Sequence, residues 1–214
     1  AKGGAVFQPT TSYGIPWNTA ITYGYFTDKR DNQGYFTVTI GSQTWMAQNL
    51  NYAGSGTTVG ACYNSRADSC SKYGRLYTWE EVMQGSSSSI ASPSGVQGIC
   101  PDGWHVPSDA EWTDLEYFLD STQTREGTKL KSTAGWNSSG GTDVYGFRVL
   151  PAGNGDDAIV IYAGHDAGYK ANFWSASEIE ASSAWSRGFG DGWATVDRAY
   201  YVKTDGFSLR CLQN

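Results

Sequence analysis

A chain of 214 residues with a formal net charge of −6, 27 Gly, 9 Trp and 14 Tyr is long enough for one sizeable core, and this profile suits short aromatic strands joined by glycine turns. Its Lys and Arg form no cluster, which argues against nucleic acid and anionic membrane as partners, since both need grouped cations. No stretch approaches the roughly 20 apolar residues of a membrane span, and "AKGGAVFQPT" lacks a charged segment followed by an apolar one, so we expect a soluble chain without membrane insertion.

Residues 1–25 hold two prolines and scattered apolar residues without a period, and read as an extended arm. Its apolar anchors are Val6, Phe7, Ile15, Trp17 and Ile21, expected to pack on the arm's own domain or, by strand addition, on a neighbouring copy. Residues 26–214 form the main domain. In "GYFTVTIGSQTWMAQNL" two alternating runs, Tyr35 to Ile40 and Gln43 to Ala47, flank a Gly41-Ser42 turn and predict a hairpin. "YGRLYTWEEVM" spaces Leu76, Trp79, Val82 and Met83 for a helix with Thr78 at its start. Residues 84–98 read as a Ser/Gly surface loop.

"CPDGWHVPSDAEWTDLEYFL" is the best-signalled segment. Pro107 ends a short strand, Ser108 caps a helix, and Glu111 completes a capping box ahead of Trp112, Leu115, Phe118 and Leu119. Downstream, "GFRVLPAG", "AIVIYAG", "NFWSASE", "AWSRGFG", "WATVDRAYYV" and "FSLRCL" read as short strands. Gly190-Asp191-Gly192 and Asp205-Gly206 are turn signals between them. Helices early and a meander late make an α+β domain.

Cys62, Cys70, Cys100 and Cys211 match no zinc spacing, so two disulfides are expected. Of three possible pairings we favour Cys62 with Cys70, a short loop closure, and Cys100 with Cys211, tying the helix-bearing segment to the last strand. Disulfides imply an oxidising compartment and hence a secreted or cell-surface location.

"TVTIGSQTWMAQNLNY", "CSKYGRLYTWEEV", "CPDGWHVPSDAEWTDL", "FWSASE" and "FSLRC", in this order, resemble the FISUMP domain (Fibrobacter succinogenes major paralogous domain), a family of exported bacterial surface proteins. The resemblance spans roughly residues 26–212. The segment Val106-Pro107-Ser108 with Glu111-Trp112 also looks like its counterpart in formylglycine-generating enzymes, whose fold is related to C-type lectins. The resemblance implies a C-type lectin-like α+β fold, two helices on a twisted irregular sheet with long loops, in which Trp104, Trp112 and Trp174 are core. It lends no catalytic residue, because the only late cysteine is Cys211, and the Glu-Pro-Asn and Trp-Asn-Asp motifs of calcium-dependent lectins are missing.

His105, inside a strand, reads as structural, and His165, beside Asp166, as a solvated loop histidine. No GxSxG, HExxH or phosphate-loop motif occurs, and we expect no enzymatic activity. Asn154, Asp156 and Asp157 offer oxygen ligands that calcium prefers, without EF-hand spacing; no other cofactor is implied. The sharper candidate is a recognition face of late aromatics, Trp136, Trp185, Trp193, Tyr200 and Tyr201, placed to stack on a glycan or anchor a protein. Two functions follow: a surface recognition or adhesion module, or a structural subunit of a fibre or surface layer whose arm contacts copies of itself.

Overall fold

The computed structural model describes residue 9 and residues 13–155 and 165–214. In chain order these form β1 (Gly24–Thr27), β2 (Gly34–Ile40), β3 (Gln43–Met46), α1 (Ala67–Tyr73), α2 (Trp79–Met83), β4 (Trp104–His105), α3 (Asp109–Leu119), α4 (Glu126–Leu130), β5 (Lys170–Glu180), β6 (Ser183–Gly190), β7 (Asp197–Val202) and β8 (Leu212–Gln213). The strands make two antiparallel sheets, one in the order β1-β2-β3-β8-β4 and one in the order β5-β6-β7. The domain is α+β.

The predicted hairpin is present. Ile40 pairs with Gln43, and Gly41 turns the chain at φ +61, where a Cβ would also meet the Phe118 ring. The last strand enters the same sheet. Leu212 of β8 pairs with both Trp45 of β3 and His105 of β4, and the neighbouring Cys211 is bonded to Cys100. The second bridge joins Cys62 to Cys70, so both favoured pairings are present.

Both predicted helices begin at capping boxes, Thr78 with Glu81 on α2 and Ser108 with Glu111 on α3. Leu76 falls before α2, where it bridges Ala61. On α3 the buried stripe is Trp112, Leu115, Glu116 and Leu119, at helical spacing, whereas Phe118 is 56% exposed. This corrects the expected apolar face: Glu116 goes inward because it meets a buried arginine, and Phe118 falls one position off the stripe. α1 and α4 carry no strong apolar period; α1 is held by the Cys62–Cys70 bridge and by Asn49 Nδ2 donating to the Tyr73 carbonyl.

Trp45, Trp112 and Trp174 are wholly buried and Trp104 nearly so. Trp45 and Trp112 lie with ring centres 4.7 Å apart, and Trp112 reaches Phe173 at 5.7 Å. Large rings packed in this way dominate the apolar burial of such a core. "GFRVLPAG" does not form a strand. It buries Phe147 and Val149 around Arg148, which has φ +55, and makes only isolated ladder contacts, Val149 with Lys131 and Gly153 with Ala171. "AIVIYAG" lies outside the described residues.

At "GFRVLPAG" lie two buried arginines. Arg210, 1% exposed, donates to Asn49 Oδ1 at 2.9 Å and to the carbonyls of Phe147 and Arg148. Arg148 donates to the carbonyls of Pro16 and Ile15, and its guanidinium stands 4.2 Å from the Trp17 ring centre. Trp17 in turn packs edge-on against Tyr23 and Phe36 at 5.1 Å. Ile15 and Trp17 are therefore buried within their own chain, which leaves neither free to anchor a neighbouring copy, and Ile21, half-buried, packs on the same cluster. Val6 and Phe7 lie outside the described residues.

Candidate functional site

The register of the three-stranded sheet decides which late aromatics share a face. Trp185 pairs with Tyr200 and Arg187 with Arg198, so these four side chains point to one side, while Ala184 and Tyr201 point to the other. Tyr201 turns into the core and meets Phe207 at 5.0 Å. Tyr200 is 56% exposed and stands edge-on to Trp185 at 5.7 Å. Alternation along one strand thus separates two adjacent tyrosines into a surface residue and a half-buried one packed on the core.

The remaining candidates are placed as follows. Trp193 is 43% exposed in the connection between β6 and β7, its ring lying on Gly190 so closely that any Cβ there would collide with it. Trp136 is buried, its Nε1 donating to Ser132 Oγ at 3.1 Å. This corrects its assignment to the recognition face: a Trp beside glycines fills a gap beneath the loop. Asn154 is also buried, and Asp156 and Asp157 lie outside the described residues. Among the described residues no group of three or more His, Cys, Asp or Glu is arranged to hold a metal ion.

Next to the Trp185–Tyr200 pair, of which Tyr200 is exposed and Trp185 half-buried, α3 crosses the sheet, and charged residues join the two. Arg187, with no exposed side-chain surface, donates to Asp109 Oδ1 at 2.6 Å, to Thr113 Oγ1 at 2.9 Å and to the Glu116 carboxylate. Arg198 holds the other side of Asp109 at 2.8 Å, with its guanidinium 3.6 Å from the Trp185 ring centre. Burial works to raise the Asp109 carboxyl, but the hydrogen bonds from Arg198 and Arg187 outweigh it and hold the group below its ordinary value. Glu116 goes the other way: burial raises it, and Arg187 only partly offsets this.

The helix and the sheet enclose a cleft of about 510 Å³, within the usual size range of small-ligand sites. α3 contributes Asp109, Thr113, Glu116 and Tyr117, and the opposite wall has Arg198 and Val196. Tyr117 is 53% exposed at the rim. The floor includes Glu126, 1% exposed, whose Oε1 accepts from the Val196 N–H at 2.8 Å. Glu126 Oε2 has no hydrogen-bond partner. The main chain keeps this carboxylate in place, since Thr128 N–H donates to the Ala194 carbonyl at 2.9 Å and ties α4 to the loop before β7.

A smaller polar cavity of about 200 Å³ lies over Arg148, Arg210, Asn49 and Lys72. Arg210 there is bonded to Asn49 and two main-chain carbonyls, which marks it as part of the scaffold. His105 is structural too: it is buried, with Nε2 2.8 Å from Glu111 Oε1 and Nδ1 2.7 Å from Asn214 Oδ1. His165 pairs with Asp166 at 3.2 Å on a half-exposed loop.

An α+β domain, stapled by two disulfides and carrying an aromatic and charged cleft beside its second sheet, is what fold and site together define. Residues 38–213 match the family described as the Fibrobacter succinogenes major domain, and the chain belongs to that family. No curated protein and no solved structure matches it.

The sequence reading named Trp185 and Tyr200 but missed Asp109, Glu116, Glu126 and Arg198. A capping-box helix that carries an inward glutamate was the available signal for Glu116. The partners on β6 and β7 lie more than 70 positions downstream and leave no local trace.

Proposed function

We propose that this protein is an exported, non-catalytic recognition or adhesion module on a C-type lectin-like scaffold, whose ligand seats on the Trp185–Tyr200 face and the adjoining cleft. The observation that carries this reading is the continuous surface from exposed Tyr200 through Trp185 and Arg198 to Asp109. Aromatic rings beside fixed planar hydrogen-bonding groups suit a saccharide, whose rings present C–H faces and hydroxyl edges. A non-catalytic role is favoured because Asp109 and Glu116 are both engaged by arginines, leaving neither as a free acid or base.

Two disulfides favour an oxidising location, and no helix among the described residues is long and apolar enough to cross a membrane. The scaffold assignment is supported by β8 returning between β3 and β4, with Cys211 stapled to Cys100 just before β4. A printed glycan array probed with labelled protein tests the function. Saccharide signals that excess unlabelled protein removes support it; a blank array overturns it in favour of a protein ligand or of no recognition role.

A further inference from the structure

We propose that the cleft between α3, α4 and β7 is specific for a saccharide carrying a free protonated amine, seated with its ammonium on Glu126. This deepens the recognition reading and rests on it. Three carboxylates line the cleft, Asp109, Glu116 and Glu126, against two guanidinium groups, Arg187 behind the wall and Arg198 in it. The arginines are committed to Asp109 and Glu116, so Glu126 is left without a cation, and its Oε2 is the one buried carboxylate oxygen of the cleft that has no partner.

A buried acceptor without a donor is costly, and a buried unpaired charge more so. A neutral hydroxyl would supply the hydrogen bond but leave the charge; an ammonium supplies both. A lysine side chain also ends in an ammonium, but its stem needs apolar walls, and among the described residues Val196 is the only aliphatic one lining the cleft. The other contacts available are the exposed Tyr117 ring and the polar groups of Gln123, Thr113 and Arg198. Such a set suits a hexosamine ring, with a face to stack and hydroxyls to bond.

The test is calorimetric titration of the whole chain with a fully deacetylated β-1,4-linked glucosamine oligomer and with its N-acetylated counterpart, in mildly acidic buffer. The expected result is binding of the free-amine oligomer that weakens as salt is added, with the acetylated oligomer at least tenfold weaker. Glu126→Gln, which retains an acceptor for the Val196 N–H, should weaken the free-amine oligomer at least tenfold, and Tyr117→Ala several-fold. Near-ultraviolet circular dichroism checks the fold of both variants. In the unmodified protein the Val196 amide resonance should shift on titration, which reads the Glu126 contact without any substitution. Equal affinity for the two oligomers, or an unmoved Val196 resonance, overturns the ammonium assignment. If neither oligomer binds while other saccharides do so through Tyr200, this inference fails and the recognition reading stands; if no saccharide binds, both fail.

Discussion

The Arg198 guanidinium covers the Trp185 ring at 3.6 Å while bonding Asp109 Oδ2 at 2.8 Å, so one side chain of β7 joins the Trp185–Tyr200 pair to the cleft. Arg198 is itself 45% exposed at the side chain, where a cation–π contact and an ion pair each contribute about 1 kcal/mol or less. Arg198→Ala should therefore change the urea midpoint little while weakening array binding. A large loss of stability would show that Arg198 belongs to the scaffold.

Arg187 should behave in the opposite way. Its removal leaves Glu116 buried without its cation, and breaking a buried pair from one side typically destabilises by about 3 to 5 kcal/mol. Arg187→Met is expected to lose that much in urea denaturation. A loss below about 1 kcal/mol would contradict the inward placement of Glu116.

These two arginines show what the sequence could reveal. Ser108, Glu111 and the Trp112, Leu115 and Leu119 positions carry local signals, a cap and a helical period, so α3 was legible to within a residue. Trp185 and Tyr200 were legible as types of residue, but their sharing of a face depends on the β6–β7 register, and the turn that sets it lies in a connection of six residues, 191–196. Tyr201 and Trp136 were read as surface because strand alternation and gap filling beneath loops are settled only by the partners across the fold. Glu126 had no signal: a glutamate opening a five-residue helix looks solvated until the β6–β7 connection covers it.

Stability should depend on pH through Asp143. Burial drives its carboxyl up to about 7 against the Arg148 N–H and the charges of Arg210 and Arg148. An unfolded aspartate titrates near about 4, so the folded state holds the proton more tightly. The stabilisation that this gives is complete below about 4 and is lost as pH rises toward about 7. Replacing Asp143 with Asn removes that loss. The stability of the variant relative to the parent should then rise by on the order of a few kcal/mol between these limits, read from urea midpoints across the range; a constant difference would contradict it.

The two disulfides should differ in weight. On chain-entropy grounds the Cys100–Cys211 bridge, with a sequence separation of 111, contributes about 4 to 5 kcal/mol, and the Cys62–Cys70 bridge, separation 8, about 2 to 3 kcal/mol. Paired Cys→Ala variants compared by guanidinium denaturation check the order. A greater loss from the short bridge would mean that α1, and not the junction of β4 with β8, limits stability.

The central claim is that the Trp185–Tyr200 face binds the ligand. The most direct test is one glycan array probed in parallel with the parent chain, Trp185→Ala and Tyr200→Ala, each checked by near-ultraviolet circular dichroism. The account predicts folded variants whose signal on the parent's saccharide spots falls at least tenfold. Folded variants that retain full signal would contradict it and move recognition to another surface.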